Sequence, residues 1–126
     1  MRIGIDILAD KYADEFRSNL LSHNMIYLKS TENVIPLPGN FVDILFTLNA
    51  MDHVKHFKII CKEIIRILKP AGAFIGSFNL EENITVCEPN KLNEDIIKTQ
   101  LLRYLHLISY RITDTIRDGK CLLSLF

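Results

Sequence analysis

The sequence predicts an α/β fold in which a mostly parallel sheet is closed by an antiparallel hairpin. Short runs rich in Ile, Leu and Val alternate with helical patterns that have one apolar face. The run Val42–Leu48 is almost continuously apolar, which is typical of a parallel strand buried on both faces. Near the end of the chain, Asp118 and Gly119 separate two strand-like runs, and Asp-Gly is a strong hairpin signal.

The first half of the chain holds three of the predicted strands, which are Arg2–Leu8, Met25–Leu28 and Val42–Leu48. A helix follows the first strand, with Asp10 as its N-cap and Asn24 at its end. Its apolar face has helical spacing and consists of Tyr12, Ala13, Phe16, Leu20 and Leu21. The polar, proline-containing segment Lys29–Asn40 is predicted to be a loop.

The second half begins with a helix over about Val54–Leu68, which the sequence KPAG should end. Proline cannot continue a helix, and Gly72 tolerates a positive φ. A strand over Ala73–Phe78 and a helix from an Asn93 N-cap to about Tyr104 come next. The remaining predicted elements are the half-exposed strand Leu107–Ile116 and the last strand, Cys121–Phe126.

Length and composition indicate one ordered domain over residues 1–126. Hydrophobic residues make up 48% and charged residues 24% of the chain, which argues against disorder. The net charge is zero and no basic stripe is visible, so we expect no nucleic-acid partner. No apolar run approaches the roughly 20 residues that span a bilayer, so we expect no membrane partner. Three widely spaced cysteines indicate free thiols in the cytoplasm rather than disulfides or a metal site.

A resemblance to a known family rests on an ordered set of motifs. These are a Pro36-x-Pro38 element, Asp43 at the start of a strand, a Glu63-x-x-Arg66 pair in a helix, and the turn Leu68–Gly72. In this order and at these separations they resemble class I S-adenosylmethionine-dependent methyltransferases of the small-molecule type, often labelled type 11. The resemblance implies a Rossmann-like sheet, S-adenosylmethionine as the cofactor and a small molecule as the methyl acceptor.

The resemblance also implies the residues that bind the cofactor. Asp6, 37 residues before Asp43, matches the acidic residue whose carboxylate accepts both ribose hydroxyls, and Ile7 adjoins it. Thr31 matches the position that contacts the adenine amino group, where the family often has an acidic residue, and here Glu32 is next to it. Asn49 matches the position beside the methionine end of the cofactor. No catalytic residue is assigned.

Asp52 and His53 follow Asn49 and leave two interpretations open. They cap and pack the following helix, or His53 acts as a general base for a substrate hydroxyl or amine. The sequence alone places no substrate beside His53.

The family's glycine-rich loop after its first strand has no counterpart among the five glycines. We therefore expect the first strand, its loop and the next helix to be missing from the sheet. Unpaired strand edges would then favour re-pairing of the sheet, a homo-oligomer or a complementing chain.

Three hypotheses on function follow. The first is a methyltransferase that is N-terminally incomplete and inactive alone. The alternative is a non-catalytic methyltransferase-like module acting in protein–protein association. A different nucleotide-binding α/β protein is disfavoured, because the sequence has no glycine motif that cradles phosphate.

Overall fold

The structure, a computed structural model, describes residues 1–15, 24–80, 84–86, 89–114 and 120–125, without the side chains of 113, 114 and 120–125. In chain order the elements are β1 (Ile3–Asp6), α1 (Ala9–Glu15), β2 (Ile26–Lys29), β3 (Val42–Leu48), α2 (Phe57–Ile67), β4 (Leu68–Leu80), α3 (Glu94–Gln100), a 3-10 helix (Leu102–Tyr104), β5 (Ser109–Asp114) and β6 (Lys120–Leu125). Within the described residues, no helix is long and apolar enough to cross a membrane.

The strands form two sheets. Strand β1 pairs in parallel with β2, with Ile3 opposite Ile26. The second sheet has the order β3-β4-β6-β5, in which β3 and β4 are parallel and the β6 pairings are antiparallel. The predicted parallel sheet and closing hairpin are therefore confirmed. Among the described strands, those of one sheet do not pair with those of the other, so the sheet has not re-paired directly.

The core lies on the face of the larger sheet that packs against α2 and α3. Phe74 and Phe78 of β4 are fully buried there, and the Phe78 ring meets Phe57 edge-on with 6.5 Å between centroids. The other core residues are Met51, Cys61, Ile64, Leu68, Leu80, Leu92, Ile97 and Leu101. Burial raises the pKa of the Cys61 thiol to about 12, which makes it an inert core residue rather than a nucleophile.

The opposite face of β3 is exposed. Side chains alternate between the two faces of a strand, so Ile44, Phe46 and Leu48 share this face, and 55%, 65% and 64% of their surfaces are accessible. The prediction that β3 is buried on both faces is therefore wrong. A continuous apolar run requires cover on both sides, but no described element covers this side.

The junction between α2 and β4 differs from the predicted turn. Helix α2 ends at Ile67, and β4 begins directly at Leu68 with a register shift opposite the start of β3. The positive φ, 63°, belongs to Ala71 and not to Gly72. A glycine is required at position 72 because neighbouring backbone passes close to it. A Cβ there would lie 2.9 Å from the Lys69 carbonyl oxygen and 3.1 Å from that of Asp43.

The helix caps were predicted with mixed success. Asn93 caps α3 as predicted, since its Oδ1 accepts the Ile96 amide at 2.9 Å. Asp10 does not precede its helix but lies in the first turn of α1, where it pairs with Lys29 at 2.8 Å. The helix predicted up to Asn24 is described only to Glu15, so Phe16, Leu20 and Leu21 lie outside the described residues.

Candidate functional site

Asp6 and Ile7 lie at the carboxyl end of β1. Asp6 is exposed, and its Oδ1 accepts the Leu8 amide at 2.7 Å, which fixes the carboxylate at the turn into α1. Its Oδ2 accepts no hydrogen bond from the described residues. Ile7 is 61% exposed beside it. Two consecutive residues at this turn therefore expose a carboxylate and an apolar side chain.

The segment after β2 is held against α2 by Glu63 and Arg66. Glu63 Oε2 accepts the Ile35 amide at 2.8 Å and the Arg66 guanidinium at 2.7 Å. Arg66 also donates to the carbonyls of Ile35 and Leu37 at 2.9 and 2.8 Å. The hydrogen bond that Arg66 donates to Glu63 is the main cause that lowers the pKa of the Glu63 carboxyl. The Glu63–Arg66 contact, called the loop clamp below, is therefore ionic at neutral pH.

Thr31 and Glu32 begin this held segment but face different surroundings. Thr31 is exposed. Glu32 is engaged within the protein: its Oε2 accepts the Lys55 amide, and its Oε1 lies 3.7 Å from Nε2 of His56. Thr31 is thus the more available of the two for a ligand.

Asn49 directly follows β3 and is fixed to β4. Its amide donates to the Ser77 carbonyl at 3.0 Å, and its Oδ1 accepts the Ser77 hydroxyl at 2.7 Å. Its φ is 47°, a left-handed conformation that Asn tolerates better than most residues. The β3 chain therefore turns sharply at its carboxyl end, with Asn49 exposed at the turn.

Asp52 is a buried carboxylate three residues further along, with 4% of its side chain exposed. Its Oδ2 accepts Nδ2 of Asn79 at 3.2 Å and lies 4.0 Å from Nε2 of His53. Its Oδ1 is buried and has no hydrogen-bond partner in the described part of the chain. Helix α2 begins after His56 without a side-chain cap, so Asp52 does not cap it.

All five residues predicted to bind the cofactor lie at or just after the carboxyl end of a parallel strand. Asp6 and Ile7 follow β1 or end it, Thr31 and Glu32 follow β2, and Asn49 follows β3. Ligands of open α/β sheets bind outside these strand ends. The sequence reasoning missed Ser77 and Asn79, although two polar residues in the apolar run of β4 were a visible signal.

A sequence profile described as a methyltransferase domain matches residues 3–76. The chain belongs to the methyltransferase domain family. The matched segment contains β1, β2, β3, α2 and most of β4, and so all five predicted cofactor residues. Family membership implies S-adenosylmethionine as the cofactor. No curated protein matches the sequence.

Solved structures agree with this methyltransferase domain in fold. An S-adenosylmethionine-dependent methyltransferase from Aquifex aeolicus superposes with a TM-score of 0.67 at 23% identity, over 98% of this chain and 67% of the other. The cyclase SpnF superposes with a TM-score of 0.74 at 12% identity, over 98% of this chain and 65% of the other. A chain in the complex of the Haloferax volcanii Trm112 methyltransferase activator with a methyltransferase superposes with a TM-score of 0.77 at 14% identity, over 98% of this chain and 69% of the other. The domain thus has the Rossmann-like methyltransferase fold and spans about two thirds of these chains.

The residues of the methyltransferase domain fit part of an S-adenosylmethionine site. Asp6 can accept hydroxyl donors on Oδ2, and Ile7 offers apolar surface to a base. Thr31 and Asn49 are exposed in the segments that follow β2 and β3. The Glu32 carboxylate already has internal partners, so it fits an adenine contact less well than Thr31 does. Within the described side chains, no group of three His, Cys, Asp or Glu could hold a metal ion.

Proposed function

We propose that this chain acts as an S-adenosylmethionine-dependent methyltransferase domain of the small-molecule type. The observation that carries the proposal is the exposed Asp6 carboxylate at the end of β1, held on one oxygen by Leu8 and without a partner among the described residues on the other. A carboxylate in this state accepts two vicinal hydroxyls without having a donor that would clash. The cytoplasmic location stays a prediction.

In this proposal the chain binds and orients the cofactor. Asp6 holds the ribose hydroxyls, Ile7 packs on the adenine, and Thr31 or Glu32 lies at the adenine edge. Asn49, fixed by Ser77, flanks the methionine moiety. When bound, S-adenosylmethionine supplies an electrophilic methyl group on a sulfonium, and the protein contributes positioning and charge complementarity.

Isothermal titration calorimetry with S-adenosylhomocysteine tests the proposal. We expect binding in the low micromolar range, about −8 kcal/mol, and at least tenfold weaker binding for Asp6→Ala. The loss follows because hydrogen bonds to a charged group contribute about 1.5–3 kcal/mol each.

Asp10→Ala is the matched control for the calorimetry. It removes another exposed carboxylate from the same segment, one that pairs with Lys29, and should leave the affinity unchanged. Absence of heat at millimolar ligand, or equal affinity of wild type and Asp6→Ala, would contradict the proposal.

A second candidate function is a non-catalytic, methyltransferase-like module that associates with a second copy of itself. Strand β3 is the last strand of its sheet, so one edge has no partner among the described strands. Asp43, the only charged residue of β3, is held by Lys69 at 2.7 Å. Two copies can therefore place Ile44, Phe46 and Leu48 together without like charges meeting.

Sedimentation velocity tests this association. We expect dimers at micromolar concentration for the wild type and at least tenfold weaker association for Phe46→Lys, because the ammonium would be buried in the apolar contact. Val34→Lys, at a 61% exposed position away from β3, should associate normally. A wild type that stays monomeric would contradict the self-association.

A further inference from the structure

Two polar pairs lie side by side at the carboxyl end of β4. Ser77 and Asn79 are two residues apart in the strand, so their side chains share one face at a spacing of about 7 Å. Ser77 holds Asn49, and Asn79 holds Asp52. The Asp52 carboxylate thus lies next to the position proposed for the methionine end of the cofactor.

The described surroundings of Asp52 do not fill the hydrogen-bonding capacity of its carboxylate. One amide donor at 3.2 Å serves Oδ2, and the imidazole of His53 is 4.0 Å away. Oδ1 is buried and finds no partner among the residues that the structure describes. Leaving a buried acceptor unpaired costs about 1–3 kcal/mol, and more for a charged group. An unpartnered buried oxygen of this kind is a ready acceptor for a donor on a ligand.

The donor that best suits this oxygen is a cation. Within the described side chains, no Lys or Arg pairs with Asp52, and a buried carboxylate is stabilised most by a positive partner that also donates a hydrogen bond. His53 is half exposed, so the surface beside Asp52 is within reach of solvent.

We propose that Asp52, positioned by Asn79, is the recognition site for a protonated amine of the small-molecule methyl acceptor. This assignment rests on the proposed function, because only a cofactor bound beside Asn49 would bring a reacting methyl group near Asp52. The ammonium donates to Oδ1 and lies between the carboxylate and the exposed edge of His53. Asp52 therefore selects amine-bearing substrates over neutral molecules of the same size.

The test is an NMR titration of the full chain with n-propylammonium chloride, with propan-1-ol and matched KCl as controls. The reporters are the Asp52 backbone amide and the Asn79 side-chain amide. We expect saturable shifts with a Kd on the order of millimolar for so small a ligand. Propan-1-ol should bind at least fivefold more weakly. This comparison uses only the wild type and does not depend on how a variant folds.

Asp52→Asn keeps the shape of the side chain and removes its charge, so amine binding should weaken at least fivefold. Asp10→Asn removes an exposed carboxylate elsewhere and should bind the amine as the wild type does. Absence of saturable shifts, equal binding of the alcohol, or unchanged binding by Asp52→Asn would each overturn the assignment.

Calorimetry with S-adenosylhomocysteine separates the two proposals. Cofactor binding without amine binding overturns the Asp52 site and leaves the proposed function standing. Amine binding without cofactor binding overturns the acceptor role of Asp52 together with the proposed function. Binding of both, with normal cofactor affinity for Asp52→Asn, supports both.

Discussion

Replacing Phe78 by alanine should lower the free energy of unfolding by about 3–5 kcal/mol. The side chain is fully buried, lies edge-on to Phe57 and stacks against Phe74 with 6.5 Å between centroids in both pairs. Its removal leaves a cavity between β4 and α2 that the neighbouring rings cannot fill, because Phe74 is fixed by β4 and Phe57 by α2. For a domain of typical stability, about 5–15 kcal/mol, the loss is a large fraction of the total.

Urea denaturation followed by circular dichroism measures this loss, and Phe46→Ala is its control. Phe46 is the same residue type in the adjacent strand, but 65% of its surface is exposed on the other face of the sheet. At concentrations where the chain is monomeric, its replacement should change the free energy of unfolding by less than about 0.5 kcal/mol. Equal losses for the two variants would mean that the packed face of the sheet is assigned wrongly.

The sequence was sufficient for the order of the elements, because this depends on local patterns. The alternation of strand and helix periods predicted a mostly parallel sheet, and β1-β2 and β3-β4 do pair in parallel, while the Asp-Gly turn predicted the pairing of β5 with β6. The Asn93 cap is equally local, since its side chain bonds an amide three residues away.

What the sequence did not predict depends on contacts between distant segments. The apolar run of β3 indicates that both of its faces need to be covered. It does not indicate whether another element of the chain covers them. The Leu68–Gly72 segment has the composition of a turn, yet it continues into β4 because the start of β3 lies close enough to pair with Leu68. Ala71, not glycine, then takes the positive φ.

In the candidate site, too, local patterns indicated some residues, while contacts between distant segments were not predicted. Asp6 was proposed as a cofactor-binding residue because a carboxylate at the end of a strand is a local pattern combined with a family motif. The internal contacts of Glu32 with Lys55 and His56 join residues more than 20 positions apart, so no local pattern indicates them. The burial of Asp52 depends in the same way on Asn79, which lies 27 positions later.

Replacing Glu63 by alanine should lower the free energy of unfolding at neutral pH by about 1.5–3 kcal/mol, the range for hydrogen bonds to a charged group. The variant leaves the amide of the buried Ile35 without its acceptor and removes the partner of Arg66 from the loop clamp. Glu94→Ala is the control, because Glu94 forms an ion pair with Lys98 within one helix. Such a pair contributes less than about 1 kcal/mol.

The effect of Glu63 should also depend on pH in a defined direction. The Arg66 hydrogen bond lowers the pKa of Glu63 in the folded protein below its ordinary value of 4.5. A carboxyl with a depressed folded pKa stabilises the protein above its unfolded pKa, and this contribution is lost as the pH falls through the folded value. The difference in unfolding free energy between wild type and Glu63→Ala should therefore be largest at neutral pH and shrink below pH 4.5. Urea denaturation across this range measures it, and a difference that grows on acidification would show that the loop clamp is not held by an ionised Glu63.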